Sequence, residues 1–213
     1  MLVLDKEIDG IRVAVWKSEE DFETLRQSIP EGDALATEAI RLFKSEKRRK
    51  EWLTARVLLR TILNRPFTIK YKASGAPYFD DLPLYLSISH TKGYVAVALS
   101  SSSMVGVDVE QVTPNICKLK SRICGQSETA ENELEITLHW SAKETAFKII
   151  DTEGVDFTRN LTVDPFCVCK NGAGTMTLHE TATRKKNVIE IHYIILDDTV
   201  LTFAKAQDAI AFM

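Results

Sequence analysis

With 213 residues, 45% of them hydrophobic and 27% charged, the chain can bury the core of one large domain or two small ones, and its balance is that of an ordinary globular protein. A net charge of −3 argues against a general nucleic-acid binder, and the longest apolar runs, such as residues 94–99, are far too short to span a bilayer. Residues 1–9 are partly acidic and lack a basic-then-apolar signal pattern, so a cytoplasmic protein is expected, with Cys117, Cys124, Cys167 and Cys169 as free, mostly buried thiols.

Strand alternation runs from Ile11 to Trp16, and a short helix is expected from Ser18. A long helix is predicted over roughly 34–63. Leu53, Val57 and Arg60/Thr61 share one stripe of it, while Trp52, Arg56 and Leu59 share another, and Asn64-Arg65-Pro66 stops it. Ser74-Gly75-Ala76-Pro77 reads as a turn. A strand over 84–90 places Leu84, Leu86, Ile88 and His90 on one face, and Thr91-Lys92-Gly93 turns it into a hairpin partner over 94–99. Four serines at 100–103 are the expected boundary between two halves, 1–103 and 104–213.

The second half opens with a strand over 105–109 and a loop containing Pro114. A helix follows from about Glu128 or Ala130 to Ile150. Strands are then expected over 162–170, 175–180, 187–196 and 200–205, with turns at Asn171-Gly172 and Asp197-Asp198. The pattern predicts an α+β fold: a pseudo-twofold sandwich of two halves, each a long helix packed on antiparallel strands, with a cleft between them.

Three stretches carry candidate chemistry. In Val105-Gly106-Val107-Asp108-Val109-Glu110, alternation buries the valines and sets Gly106, Asp108 and Glu110 on the other face. Adjacent carboxylates repel unless a cation sits between them, and magnesium takes one to three carboxylates plus water and phosphate oxygens. The bare Gly106 would let a ligand approach the strand. A solvent-facing edge strand accounts for the same pattern. In Trp140-Ser141-Ala142-Lys143-Glu144-Thr145-Ala146-Phe147-Lys148, Glu144 and Lys148 share a helix face beside Trp140 and Phe147. A carboxylate partly desolvated by aromatic rings becomes more basic, which suits a metal ligand that is also a general base; a surface Glu–Lys pair is the simpler alternative. In Leu86-Ser87-Ile88-Ser89-His90-Thr91, Ser89 and His90 close a strand where hydroxyl and imidazole could hold an anion, although such a histidine often satisfies a local carbonyl. Lys44 to Lys50, and Lys118, Lys120 and Arg122, are local basic groups. Each is either a solvated face or a site for phosphate or an acidic partner.

Taken in order, Ser-Ile-Ser-His, the hairpin, Val-Gly-Val-Asp-Val-Glu and Trp-Ser-Ala-Lys-Glu-Thr-Ala-Phe-Lys resemble the 4′-phosphopantetheinyl transferase superfamily over about residues 45–165. Length and two-half organisation resemble its larger, surfactin-synthetase-activating subclass. The resemblance implies magnesium held by Asp108, Glu110 and Glu144. It also implies transfer of the phosphopantetheine arm of coenzyme A onto a serine of an apo acyl- or peptidyl-carrier protein. Glu144 would take the serine proton, and Lys148 and Lys143 would neutralise the departing 3′,5′-ADP. Ser89, His90 and a basic residue of the 48–56 helix (Arg48, Arg49, Lys50 or Arg56) would grip the nucleotide phosphate. Where relatives have Gly-Lys-Pro, this chain has Gly75-Ala76-Pro77, so Lys72 is the expected substitute. The segment 113–126 is short against relatives, and Ala55 replaces a glycine of their helix motif. A monomer that binds neither nucleic acid nor membrane is expected. Two rival readings are a catalytically degenerate paralogue that binds coenzyme A or a carrier without transfer, and a basic-helix nucleic-acid or interaction module resting on Lys44 to Lys50. The latter leaves the Asp/Glu strand unexplained, and net acidity disfavours it.

Overall fold

In the computed structural model, which describes residues 1–206, Asp9 and Gly10 both adopt positive φ (51° and 74°), the two-residue turn that matches the twist of paired strands. That turn joins β1 (Leu2–Ile8) to β2 (Ile11–Lys17). β1 is an edge strand whose largely exposed side chains hide its alternation in the sequence.

The helix expected over 34–63 is two helices. After α1 (Phe22–Gln27) come α2 (Gly32–Leu42) and α3 (Glu46–Leu63). Phe43 is extended (φ −126°) and places its ring 6.4 Å from Trp52, while the Ser45 hydroxyl accepts the Arg48 amide and restarts the helix. Asn64 ends α3 in the left-handed conformation. Next come the short pair β3 (Ile69–Tyr71) and β4 (Pro77–Phe79), then the hairpin β5 (Tyr85–Thr91) and β6 (Tyr94–Ser100). Beyond Ser101–Ser103 the chain enters β7 (Val105–Gln111), a 3₁₀ turn (Pro114–Leu119), α4 (Lys120–Ile123) and α5 (Glu133–Ile150).

α5 starts later than the periodicity suggested, because Asn132 caps it by accepting the Glu135 amide and Glu128 is drawn inward. Strands β8 (Leu161–Val163), β9 (Ala173–Glu180), β10 (Val188–Leu196) and β11 (Thr199–Lys205) complete the described chain. The strand expected over 162–170 stops at Val163. Cys167 and Cys169 therefore lie in an exposed loop, Cys117 is also exposed and Cys124 is only half covered, so the thiols are not mostly buried as expected. The second half, read as 104–213, includes residues 207–213, which lie outside the described residues.

Among the described residues two antiparallel sheets result, ordered β1-β2-β6-β5 and β7-β11-β10-β9-β8, beside the small β3-β4 pair. Period-two alternation sorts their side chains into layers. Val13, Val15, Ala96 and Ala98 of the first sheet meet Val105, Val107, Val109, Leu201 and Phe203 of the second. On the outer face of the first sheet, Val95, Val97 and Leu99 pack against Leu58, Leu59 and Ile62 of α3. On the outer face of the second, Val200, Ile191 and Tyr193 pack against Leu138, Ala142 and Ala146 of α5. The order of layers is helix, sheet, sheet, helix, and each fully buried Val, Leu or Phe contributes about 1.5–3 kcal/mol. Edge strands β5 and β7 lie side by side, and the Val107 amide donates to Ser87 Oγ (3.1 Å). Among the described residues no helix is long and apolar enough to cross a membrane.

Candidate active site

The site lies where β5, β7 and α5 meet. Alternation in β7 turns Val107 to the inter-sheet core and Asp108 towards α5. Gly106 faces the same way, but its missing side chain makes room for the helix and not for a ligand: a Cβ there would lie 2.2 Å from the Thr145 carbonyl. The bare position lets α5 rest directly on β7 and fixes the height of Glu144 and Lys148 above Asp108. The expected ligand approach at Gly106 is thus corrected to a helix–strand contact.

Asp108 is 3% exposed. Its Oδ1 accepts hydrogen bonds from Lys148 Nζ (2.9 Å) and Ser89 Oγ (2.8 Å), and Lys148 also donates to the Val107 carbonyl (2.8 Å). Asp108 Oδ2 is buried and has no hydrogen-bond partner among the described residues. Leaving such an oxygen unmade costs about 1–3 kcal/mol or more, so it is a vacant acceptor at the centre of the cluster. Glu110 accepts from the Trp140 indole (3.1 Å) and, at longer range, from the Thr91 hydroxyl (3.4 Å). Burial first, then the Asp108 charge, push its carboxyl above the usual range.

Glu144 is pushed up to about 7, by burial first and then by the Asp108 charge, with Lys148 opposing. Three acidic groups therefore surround one ammonium, and two of them hold protons more tightly than usual. The all-oxygen set, the repulsion within it and the orphaned Asp108 Oδ2 fit a hard divalent cation. The three carboxylates are more spread than a preformed ligand triangle. The one set of His, Cys, Asp or Glu donor atoms within 4.8 Å of one another, among the described residues, is Asp9, Glu190 and His192 at another surface.

The remaining sequence candidates are distributed differently from expectation. Ser89 and His90 are neighbours in a strand and so point to opposite faces. Ser89 orients Asp108, while His90 meets α3, where Arg48 Nη1 donates to its Nε2 (2.6 Å) and Glu51 lies 3.6 Å from its Nδ1. Burial first, with Arg48 and Lys148 adding to it and Glu51 opposing, lowers the His90 imidazole below its usual value.

Arg48 is thus the basic residue beside His90. Arg49 instead donates to the Phe43 carbonyl (2.7 Å). Arg56 is buried against the Trp52 ring, donates to the Trp52 carbonyl and Tyr71 hydroxyl, and borders a separate cavity of about 280 Å³ with Glu31 and Glu38. Lys143 is also displaced from its expected role. Its side chain is 0% exposed, and its three protons go to Glu128 (2.5 Å) and the Ile123 and Phe157 carbonyls. One residue along a helix is about 100° around it, so Lys143 points into the core while Glu144 faces the site.

Lys72 pairs with Asp151 (2.9 Å) at the rim of a cleft of about 940 Å³. The 72–78 turn, the start of β5, and Phe147 and Lys148 of α5 wall this cleft. Lys148 reaches from its wall to Asp108, so cleft and carboxylates adjoin through one cation. Ser87, Thr91 and Glu51 have no assigned role in the sequence reading, whereas Arg48 is one of its candidate phosphate contacts. The period-two hydroxyls Ser87, Ser89 and Thr91 were the available signal for the first two.

Comparison with known proteins bears on this half of the chain. Residues 104–204, just under half of the 213, match the family described as the 4′-phosphopantetheinyl transferase superfamily. The 4′-phosphopantetheinyl transferase AcpT of Salmonella typhi is 35% identical over 91 residues, covering 41% of this chain and 47% of the relative. AcpT of Escherichia coli is 37% identical over 68 residues, or 32% and 35% of the two chains. The chain thus spans less than half the length of these curated relatives. Asp108, Glu110, Glu144 and Lys148 therefore lie in the segment, 104–204, that is similar to the 4′-phosphopantetheinyl transferase superfamily.

Proposed function

We propose that the protein is a magnesium-dependent 4′-phosphopantetheinyl transferase that moves the phosphopantetheine arm of coenzyme A onto a serine of an apo acyl- or peptidyl-carrier protein. One observation carries this reading most: the orphaned Asp108 Oδ2 among Glu110, Glu144 and Lys148, on the segment matched by that superfamily. Asp108, Glu110 and Glu144 would hold the magnesium, which when bound would neutralise phosphate charge and polarise the phosphorus. Glu144, whose carboxyl burial and the Asp108 charge push up to about 7 in the metal-free fold, is the group placed to accept the proton of the incoming serine. Lys148 can offer a proton to a phosphate oxygen while it stays tethered to Asp108 and the Val107 carbonyl. The 940 Å³ cleft beside it, with Lys72 at the rim, is large enough for a cofactor-sized substrate. The attacking nucleophile would belong to the partner protein.

The finer reading follows the larger, surfactin-synthetase-activating subclass: a cytoplasmic monomer of two halves, 1–103 and 104–213, related by a pseudo-twofold, with Lys118, Lys120 and Arg122 beside the carrier. Incubation with coenzyme A, magnesium and a panel of apo-carriers, read by intact mass, tests it. A gain of the phosphopantetheine mass is expected. Tight coenzyme A binding without any gain would establish the degenerate paralogue instead.

Metal and pH effects on stability give an independent check. Glu144 titrates near 7 in the fold against an ordinary 4.5, so the folded state holds more protons than the unfolded one across that window. Stability of the metal-free protein should accordingly fall as pH rises from about 4.5 to about 7 and level off above. At pH 7.5, magnesium should raise the melting temperature by roughly a few degrees. Glu144→Gln should abolish much of both responses. A melting temperature indifferent to magnesium would remove the metal assignment.

A further inference from the structure

Asp151 occupies an unfavourable place. It ends α5 in the left-handed conformation (φ 45°), where glycine or asparagine is the usual choice, and it sets a negative charge against the negative end of the helix dipole. The carboxylate is nevertheless held. Burial raises its pKa, but hydrogen bonds from Lys72 and Ser74 prevail and keep it below the usual range. Lys72 Nζ lies 2.9 Å from Asp151 Oδ2, with side-chain exposures of 44% and 18%, and the partners are 79 residues apart in the chain. Lys72 sits on the turn between β3 and β4, tied by its amide to the Ala76 carbonyl (2.9 Å). Both residues line the large cleft, as does Lys148. The cation that faces this cavity from the first half is therefore already neutralised by a carboxylate from the second.

We propose that Asp151 is an internal stand-in for the substrate phosphate: it caps Lys72 in the empty cleft and must release that cation when a phosphate-bearing ligand enters. This rests on the transferase reading and adds to it a residue that sets affinity and that the reaction itself does not require. An anion entering the cleft exchanges one ion pair for another, so part of its interaction with Lys72 is offset by the loss of Asp151. The same exchange frees the 72–76 turn from the end of the helix that carries Glu144 and Lys148.

The test is calorimetric titration of the full chain with coenzyme A in magnesium buffer, at low and high salt, for wild type, Asp151→Asn, Lys72→Ala and the double variant. Asparagine keeps the size and suits the left-handed cap, and thermal melts verify that each variant is folded. Asp151→Asn should bind coenzyme A roughly three- to ten-fold tighter, with the larger gain at low salt, the scale of one partly exposed charge pair. Lys72→Ala should bind more weakly by a similar factor. In the Lys72→Ala background the gain from Asp151→Asn should shrink, because the carboxylate no longer has a cation to withhold. Unchanged or weaker binding by Asp151→Asn overturns the proposal, as does an equal gain with and without Lys72, which would indicate plain repulsion. Wild type that binds coenzyme A and modifies a carrier while Asp151→Asn gains nothing refutes this inference alone. Wild type that does neither refutes the transferase reading along with it.

Discussion

Glu144→Gln should slow group transfer by roughly two to four orders of magnitude, and Asp108→Ala by a similar factor, measured as initial rates at saturating coenzyme A and carrier. Glutamine keeps the size of Glu144 but can neither take a proton near neutral pH nor offer a full charge to a cation. The loss should appear in kcat as well as kcat/KM, since the interaction matters chiefly as charge develops. Unfolding is not a competing explanation for Glu144→Gln. Removing one of three mutually repelling, partly buried carboxylates should leave the melting temperature at pH 7.5 equal to wild type or higher. Asp108→Ala is harsher, because Lys148 and Ser89 both lose their acceptor, so Asp108→Asn serves as its folded control. Glu110→Ala should be milder, since water can replace one corner of a magnesium shell. Near-native turnover in Glu144→Gln would sink the mechanism.

Gly106→Ala should destabilise the protein by about 3 kcal/mol or more, at the upper end for an overpacked core, by chemical denaturation. The added methyl would meet the Thr145 carbonyl at 2.2 Å and the Ile149 side chain at 3.0 Å, and the first of these is helix backbone that no rotamer change can move. α5 must lift or slide, and it carries Glu144 and Lys148 away from Asp108 as it does so. Activity should therefore fall together with stability, in contrast to Glu144→Gln, where the two separate. Wild-type stability in Gly106→Ala would mean that α5 does not rest on β7 at this residue.

The gross order of elements was legible because it depends on local periodicity. Alternating valines marked β7, and the four-residue spacing of Glu144 and Lys148, close to the 3.6-residue helical period, put them on one face of α5. The same rules also held signals that were not used. Ser89 and His90 cannot share a strand face, and Lys143 lies too far around the helix to accompany Glu144. The break between α2 and α3 was missed because Phe43 leaves the helix to pack on Trp52, a tertiary gain that outweighs helix propensity. What sequence could not offer was pairing at a distance. Nothing local joins Lys72 to Asp151, Glu128 to Lys143, or β5 to β7, and those contacts turn three separate stretches into one site.

The position of β11 between β7 and β10 has a consequence for how the site comes into being. β7 pairs with a strand whose residues lie between 88 (Gln111 with Thr199) and 100 (Val105 with Lys205) positions further along the chain. During synthesis at about 5–20 residues per second, the strand bearing Asp108 waits roughly 5–20 s for its sheet partner to be made. Throughout that interval its backbone donors and acceptors on that side are an open edge, the kind of surface that recruits foreign strands. Closing the second sheet also requires ordering everything between 111 and 199, a long loop whose entropy is lost before the pairing can repay it. The nascent first half, by contrast, holds β1, β2, β5 and β6 within its first hundred residues and can pair them as soon as Ser100 emerges. The strand that carries Asp108 is thus made early and secured late, and its open edge is most exposed to wrong pairing in the interval between.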